Sequence, residues 1–274
     1  MSLISKLQMA QTIIQTRINQ WPKQAIWLGS GLSALIKDFE IHKKIPLTDL
    51  PFHAVANLSH MDNGLYLATI SHKLCWIVGG RIHHYEGYSG EEITFLIRLL
   101  AYGGCDRFLL TNASGSVDPQ ISKGSLVLID DHINWSLPSP LIGENEATLG
   151  PRYPQMLDAY DEKYRKVLLK FAAHHHIQLH SGIYLGVSGP QLETKAEYQL
   201  FHKLGAHIIG MSTIPEVIAA RHMNKSVTAL SMVSNDISDI QSMHVFSMQE
   251  FLQSIEDKKS DILSLIDCWL NCTE

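Results

Sequence analysis

Basic clusters are missing from this sequence: no run of lysine and arginine exceeds a pair. With 22 basic against 27 acidic residues the net charge is −5, and the electrostatic footprint of a nucleic-acid binder is absent. Long apolar runs are missing too. None reaches the ~18 residues that a membrane span requires. The opening stretch MSLISKLQMAQTIIQTRINQ is broken by Gln, Thr and Lys and has no continuous apolar core for export, so it reads as a short amphipathic surface helix. Cysteine is scarce: four residues, at 75, 105, 268 and 272, are too few and scattered for a disulfide scaffold. Cys268 and Cys272 read as packing thiols on one helix face. Repeats, low-complexity linkers and composition breaks are lacking. At 274 residues, 45% hydrophobic and 18% charged, the composition excludes a disordered chain, a collagen-like repeat and a coiled coil. A cytoplasmic protein of one domain, residues 1–274, is expected.

What is present is alternation. Short apolar runs end in Gly, Ser or Asn clusters: 25–28 before Gly29-Ser30-Gly31, 74–78 before Gly79-Gly80-Arg81, and 108–110 before Thr111-Asn112-Ala113-Ser114-Gly115. Runs at 126–129, 183–187 and 227–233 precede Asp130-Asp131-His132, Ser188-Gly189-Pro190 and Ser234-Asn235-Asp236. Each reads as a strand buried on both faces. Helical patterns lie between them. Ile93, Leu96, Ile97 and Leu100 share a face and Gly103 follows as a stop. Leu157, Tyr160, Tyr164, Leu168 and Phe171 continue the period. Thr194–Glu197 and Ser247–Glu250 fit capping boxes, and Pro215 sits in a first turn before Val217–His222. Such alternation predicts an α/β fold with a mostly parallel sheet covered on both faces. Residues 134–150 read as a long loop of the functional kind.

Ligands of such sheets gather at the carboxyl ends of strands, where these clusters fall. Gly29-Ser30-Gly31 offers free backbone N–H groups to an anion. In an extended segment Arg81, His83 and Tyr85 project to one side, and an arginine fork matches phosphate oxygens. Thr111–Gly115 reads as a turn able to form a second anion nest. Glu193 precedes a helix start, which suits the dipole as well as a ligand. Ser212 sits at a strand-to-helix junction, where capping and ligand binding coexist. His174-His175-His176 read as cations at a helix end without further partners for zinc. Neither Ser30 nor Ser212 stands in the GxSxG elbow of a hydrolase.

Together these blocks resemble the trimeric purine nucleoside phosphorylases, which act on 6-oxopurine nucleosides. The matching segments are LGSGL (28–32), GRIHHYEGY (80–88), TNASGSVDP (111–119), DHIN (131–134), RYPQMLDAYD (152–161), GPQLETKAE (189–197), GMSTIPEVIAARH (210–222) and SNDI (234–237). They run in family order over nearly the whole chain. The resemblance implies one α/β domain around a mixed, distorted, barrel-like sheet flanked by helices, assembled as a homotrimer. It implies reversible phosphorolysis of purine nucleosides with inorganic phosphate as substrate and no cofactor or metal. It assigns Ser30, His60, Arg81, His83, Ala113 (through its N–H) and Ser212 to phosphate. Tyr85 and Met211 match ribose contacts, and Tyr153 the aromatic that enters a neighbouring subunit's ribose pocket. Leu192, Glu193 and Asn235 match the purine contacts, with Asn235, Glu193 and His83 as the catalytic set.

The residue types suit that chemistry. Phosphate is the nucleophile, so holding it beneath the sugar supplies much of the catalysis. Asn235 donates to N7 as negative charge develops on the leaving purine. A Glu193 carboxylate accepts from N1–H, which adenine lacks, and such a mismatch rejects a substrate. Departures from the family pattern are Leu192 in place of a stacking Phe, Met248 near a position where His commonly meets the 5′-hydroxyl, with His244 as a substitute, and the loop around His60. Asp236 directly after Asn235 would put a carboxylate at the purine if the register slipped by one. A phosphorylase for 5′-methylthio nucleosides, a nucleosidase using water and a non-catalytic nucleoside-binding module are the alternatives.

Overall fold

The computed structural model describes residues 1–54, 63–236 and 246–272. Among these, nine strands form one sheet. They are β1 (Gln24–Trp27), β2 (Glu40–Pro46), β3 (Gly64–Ile70), β4 (Lys73–Val78), β5 (Arg107–Ser116), β6 (Leu126–Asn134), β7 (Leu179–Gly186), β8 (Ile208–Gly210) and β9 (Ser226–Asn235). The order is β2-β3-β4-β1-β5-β8-β7-β6-β9, and β9 also pairs with β5. That second pairing closes β5, β8, β7, β6 and β9 into a five-stranded barrel, while β2, β3, β4 and β1 extend from it as an open wing. The sheet is mixed: β1 runs parallel to β4 and β5, whereas β5–β8, β6–β9, β2–β3 and β3–β4 are antiparallel. The mixed barrel implied by the resemblance is present. The mostly parallel sheet read from alternation alone is corrected: β2 has no apolar run, β8 is three residues long, and β3, whose run spans 65–68, pairs antiparallel with both β2 and β4.

Among the described residues six α-helices cover the sheet: α1 (Leu3–Gln15), α2 (Gly90–Tyr102), α3 (Glu162–His174), α4 (Lys195–Lys203), α5 (Ile214–His222) and α6 (Met248–Asn271). Strand alternation sorts the core into two layers. Along β1 and the residue after it, Ala25 and Trp27 pack with residues of α1, α2 and α5, while Ile26 and Leu28 pack with residues of α3 and α6. The N-terminal amphipathic helix is present and buries Leu7, Ala10 and Ile14. Thr194 and Glu197 complete a reciprocal capping box on α4, and Gly103 caps α2. The Ser247 side chain caps α6 as read, but the Glu250 carboxylate turns to Lys123.

Two element boundaries differ from the sequence reading. Thr111–Gly115 is the second half of β5 rather than a turn, because its polar residues are paired with β9 along their length. The helix read from Leu157 begins only at Glu162, where the Asp161 carboxylate caps the N–H groups of Lys163 and Tyr164. Leu157 is 99% exposed and belongs to the long connection after β6.

That connection is tied down by polar contacts. Arg98 of α2 meets His222 Nδ1 at 3.2 Å, His222 Nε2 meets Asn145 Oδ1 at 3.1 Å, and Asn145 Nδ2 donates to the Gly150 carbonyl at 3.1 Å. Gly150 passes so close to α5 that a Cβ would lie 1.8 Å from the His222 carbonyl oxygen. Gly150→Ala should therefore destabilise the protein by about 1–3 kcal/mol, the usual cost of overpacking. Urea unfolding checks this, and an unchanged midpoint and slope would show that the loop is not held there.

Candidate functional site

The carboxyl ends of β1 and β4, the second half of β5, the end of β9 and the junction after β8 surround a cavity of about 150 Å³. Ser30, Arg81, His83, Tyr85, Ala113, Leu192, Glu193, Met211, Ser212 and Asn235 all line it. Of the residues that the resemblance assigns to the site, the structure thus brings together all but His60 and Tyr153. His60 lies outside the described residues, as does His244. Tyr153 is 85% exposed and away from this cavity. Met248 opens α6 at 38% exposure and does not line the cavity either, so nothing described favours the 5′-methylthio alternative.

Close packing of β1 against β5 shapes one end. Thr111 Oγ1 donates to the Trp27 carbonyl at 2.8 Å and accepts from Gly29 N at 3.1 Å. A Cβ on Gly29 would lie 2.5 Å from the Thr111 carbonyl oxygen, so only glycine fits. The same carbonyl accepts from Arg81 Nη1 at 3.0 Å, and Arg81 Nε donates to Glu216 Oε1 at 2.6 Å. Both side chains of this ion pair are buried, at 3% and 1% exposure. Among the described residues Arg81 Nη2 and Glu216 Oε2 have no partner. The guanidinium is held rigidly with a donor to spare.

His83 is oriented by Glu86, whose Oε1 accepts from the His83 backbone N–H at 2.8 Å and lies 3.1 Å from Nδ1. A carboxylate at Nδ1 places the proton there and frees Nε2. Its ring stacks on Tyr85 with centroids 4.8 Å apart, and burial pushes the Tyr85 phenol up to about 12. Ser212 begins a tight turn into α5. The Ile214 N–H donates to the Ser212 carbonyl at 2.8 Å, and Thr213 between them has φ +70°. A three-residue turn of this hand is strained for a β-branched residue. Asn112 holds it, with Nδ2 donating to Thr213 Oγ1 at 2.9 Å. Strain maintained by surrounding bonds is typical of functional sites.

At the other end sit Glu193 and Asn235. Burial raises the Glu193 carboxyl above its ordinary range, and Glu197 adds to this, while its own backbone N–H and the Tyr198 hydroxyl oppose it. Asn235 Nδ2 donates to Tyr198 Oη at 3.0 Å. Asp236 turns away, accepting the Lys123 backbone N–H at 2.7 Å, so the one-residue slip does not occur: the amide lines the cavity and the carboxylate does not. Among the described residues no cluster of three or more His, Cys, Asp or Glu could hold a metal ion, and no helix is long and apolar enough to cross a membrane.

Sequence reasoning missed Glu216, Thr111, Asn112 and Tyr198 as supports. Glu216 lies within the segment 210–222, and an acid four residues after Ser212 is the signal the sequence carries for it. Behind Arg81, Glu216 and His53 line a second, small cavity. Burial lowers His53 to about 4.

The Phosphorylase superfamily matches residues 25–266. The chain is 35% identical over 261 residues to purine nucleoside phosphorylase 1 of Bacillus subtilis (strain 168), covering 95% of this chain and 96% of that one. Its fold is similar to isoform 2 of purine nucleoside phosphorylase from Schistosoma mansoni, solved with cytosine and ribose-1-phosphate. The TM-score is 0.92 and the identity 31%, covering 98% and 97% of the two chains. Schistosoma mansoni purine nucleoside phosphorylase in complex with inosine matches at TM-score 0.88 and 29% identity, with 99% and 97% covered.

Two stability predictions arise from the buried groups. Glu216→Ala strands a buried guanidinium, and removing one partner of such a pair costs about 3–5 kcal/mol; denaturant unfolding measures it, and a loss below 1 kcal/mol would contradict a buried pair. His53 holds its proton less tightly when folded than when unfolded. Below the unfolded value near 6.5 the unfolded chain takes up more protons, so stability is full above that pH and falls down to about pH 4. The total is about 3 kcal/mol at 1.36 kcal/mol per unit. Unfolding free energies across this window should lose that slope in His53→Gln.

Proposed function

The chain belongs to the phosphorylase superfamily, and from that premise we propose that it is a purine nucleoside phosphorylase acting on 6-oxopurine nucleosides. A phosphate oxygen attacks the anomeric carbon, the glycosidic bond breaks, and its electron pair leaves with the purine, giving free base and (deoxy)ribose 1-phosphate. The observation that carries this reading is the sharing of one cavity by Arg81 and Ser212 with Glu193 and Asn235. A nucleosidase using water, or a module that binds nucleoside alone, has no use for an anion site beside the base site.

In this reading Ser30, Arg81, His83, the Ala113 N–H and Ser212 hold the phosphate. The Arg81–Glu216 pair is neutral as a unit, so the dianion is bound by directed donors rather than by excess fixed charge. The proton that Glu86 fixes on His83 Nδ1 leaves Nε2 to accept from a phosphate hydroxyl or, once protonated, to donate to the dianion. Tyr85 and Met211 contact the ribose. Leu192 supplies apolar packing to the purine, Glu193 accepts from N1–H, and Asn235 donates to N7 as charge develops in the transition state. Inorganic phosphate is a substrate, and neither cofactor nor metal is required. The whole chain, 1–274, serves as one such domain, in the cytoplasm, without a nucleic-acid or membrane partner. It works as a homotrimer in which the exposed Tyr153 enters a neighbouring copy's ribose pocket.

The test is a substrate panel of inosine, guanosine, adenosine and xanthosine with and without phosphate. Inosine and guanosine should be cleaved only when phosphate is present, with adenosine far slower; base release undiminished without phosphate would refute phosphorolysis. Glu193→Ala should lower kcat/KM for inosine about 100-fold or more, about 3 kcal/mol of transition-state binding. An effect confined to the melting temperature would reduce Glu193 to a helix-start residue.

A further inference from the structure

A row of polar side chains is buried between β5, β9 and the start of α5. Asn112 stands opposite Ser231 in the pairing of β5 with β9. Asn112, Ser231 and Thr213 are each exposed by 1% or less. Ser231 Oγ lies 2.6 Å from Asn112 Oδ1 and 2.7 Å from Ser114 Oγ. Asn112 Nδ2 lies 2.9 Å from Thr213 Oγ1, which in turn lies 3.1 Å from Ser212 Oγ. Asn112, Ser114 and Ser212 line the cavity, whereas Ser231 and Thr213 do not.

Such a chain can run in one of two directions. A hydroxyl gives one proton and also accepts; an amide donates at its nitrogen and accepts at its oxygen. The lengths choose between the two. A contact of 2.6 Å is too short for N–H···O and ordinary for O–H···O, while 2.9 Å is the usual N–H···O separation. Ser231 therefore donates to Asn112 Oδ1, and Asn112 Nδ2 donates to Thr213 Oγ1. The Ser114 hydroxyl, which can donate where the Asn112 carbonyl cannot, gives its proton to Ser231.

Thr213 is left with its own proton to give. A buried hydroxyl needs an acceptor, and among the described residues Ser212 Oγ is the one within reach. Ser212 thus receives a hydrogen bond from Thr213 and keeps its own proton for the cavity. Its backbone N–H is already given to Tyr184 Oη at 3.2 Å. Run the other way, the chain would draw the Ser212 proton towards Thr213 and leave a bare oxygen facing an anion.

We infer that Thr213 is a positioning residue for phosphate: fed by Ser231 through Asn112, it holds the Ser212 hydroxyl as a donor to the anion. The inference rests on the function proposed above. Phosphate oxygens only accept when the anion is fully ionised, so a serine that offers a proton binds them and one that offers a lone pair repels them. The left-handed backbone of Thr213, at φ +70°, serves the same end, since it brings Oγ1 within reach of both Asn112 and Ser212.

Thr213→Val removes the hydroxyl and keeps the branched shape, and Thr213→Ser keeps the hydroxyl. The measurement is KM for phosphate and KM for inosine, together with the melting temperature. Thr213→Val should raise phosphate KM about 10-fold or more, as for one hydrogen bond to a charged group, with inosine KM within about 2-fold of wild type. Thr213→Ser should bring phosphate KM back to within about 3-fold of wild type. Ser231→Ala reads the chain from its far end and decides the matter if Thr213→Val folds poorly. It frees the Asn112 amide to turn over and should raise phosphate KM about 3-fold or more while inosine KM holds. A merely structural role would move both KM values together or lower the melting temperature alone; either result would overturn the inference, as would an unchanged phosphate KM in Ser231→Ala. A wild-type enzyme that cleaves inosine only with phosphate, beside variants of unchanged phosphate KM, refutes the chain alone. A wild-type enzyme inactive on inosine with phosphate refutes the functional reading, and this inference with it.

Discussion

The Arg81–Glu216 ion pair is the constraint around which the site is arranged. Taking either charge out of water alone would cost several kcal/mol, and the pair survives burial only because its geometry is close and further hydrogen bonds are made. Glu216 Oε1 at 2.6 Å and the Thr111 carbonyl at 3.0 Å supply these. The three groups come from three places: the segment after β4, helix α5 and the middle of β5. One side chain therefore fixes how α5 sits against two strands. It also fixes the position of Ser212, which precedes α5 through the strained Thr213 turn. A helix that drifted would lose the ion pair and relax the turn together.

The opposite end of the cavity is organised by a different principle. Among the described residues no charge pair fixes it; a row of single hydrogen bonds runs from Ser234 through Asn235 to Tyr198. Such rows have a direction, because each hydroxyl has one proton to give. Beside this row the Glu193 carboxyl is raised by burial, which disfavours its charged form. The ion pair thus sets position, the hydrogen-bond row polarity.

Much of this was legible in the chain, and the reasons differ by element. Apolar runs located β1, β4 and β9 because those strands are buried on both faces. The sheet's mixed character was not legible from alternation, since β2 has no such run, β8 is three residues long, and the run 65–68 of β3 carries no mark of its antiparallel pairing. Thr111–Gly115 looks like a turn locally, and it becomes a strand only because β9 lies beside it in space. Six of the site residues, Ser30, Arg81, His83, Tyr85, Ala113 and Asn235, announced themselves by standing just after apolar runs or within the row Arg81, His83, Tyr85. Their supports did not. Tyr198 occupies an apolar helix position in sequence, and its hydroxyl acquires a role only when α4 brings it to Asn235 at the end of β9. Glu216 in a first helical turn has an ordinary dipole explanation, and only its 1% exposure reveals a buried counter-ion.

The cavity's open side bears on the assembly proposed above. Arg81, His83 and Ser212 are nearly buried, yet Leu192 is 55% exposed. A base packed on Leu192 in an isolated chain would keep one side wet, which weakens every directed bond at that end. Tyr153, Leu157 and Ile142, all highly exposed, project from the connection that follows β6. Large apolar side chains left out on an otherwise well-anchored loop are characteristic of a surface that is covered in the working state. A neighbouring copy supplying Tyr153 would remove that water and those exposed side chains in one step. The anchoring of the connection by Arg98, His222 and Asn145 then acquires a purpose: a loop that must enter another molecule's cavity has to be held at its base.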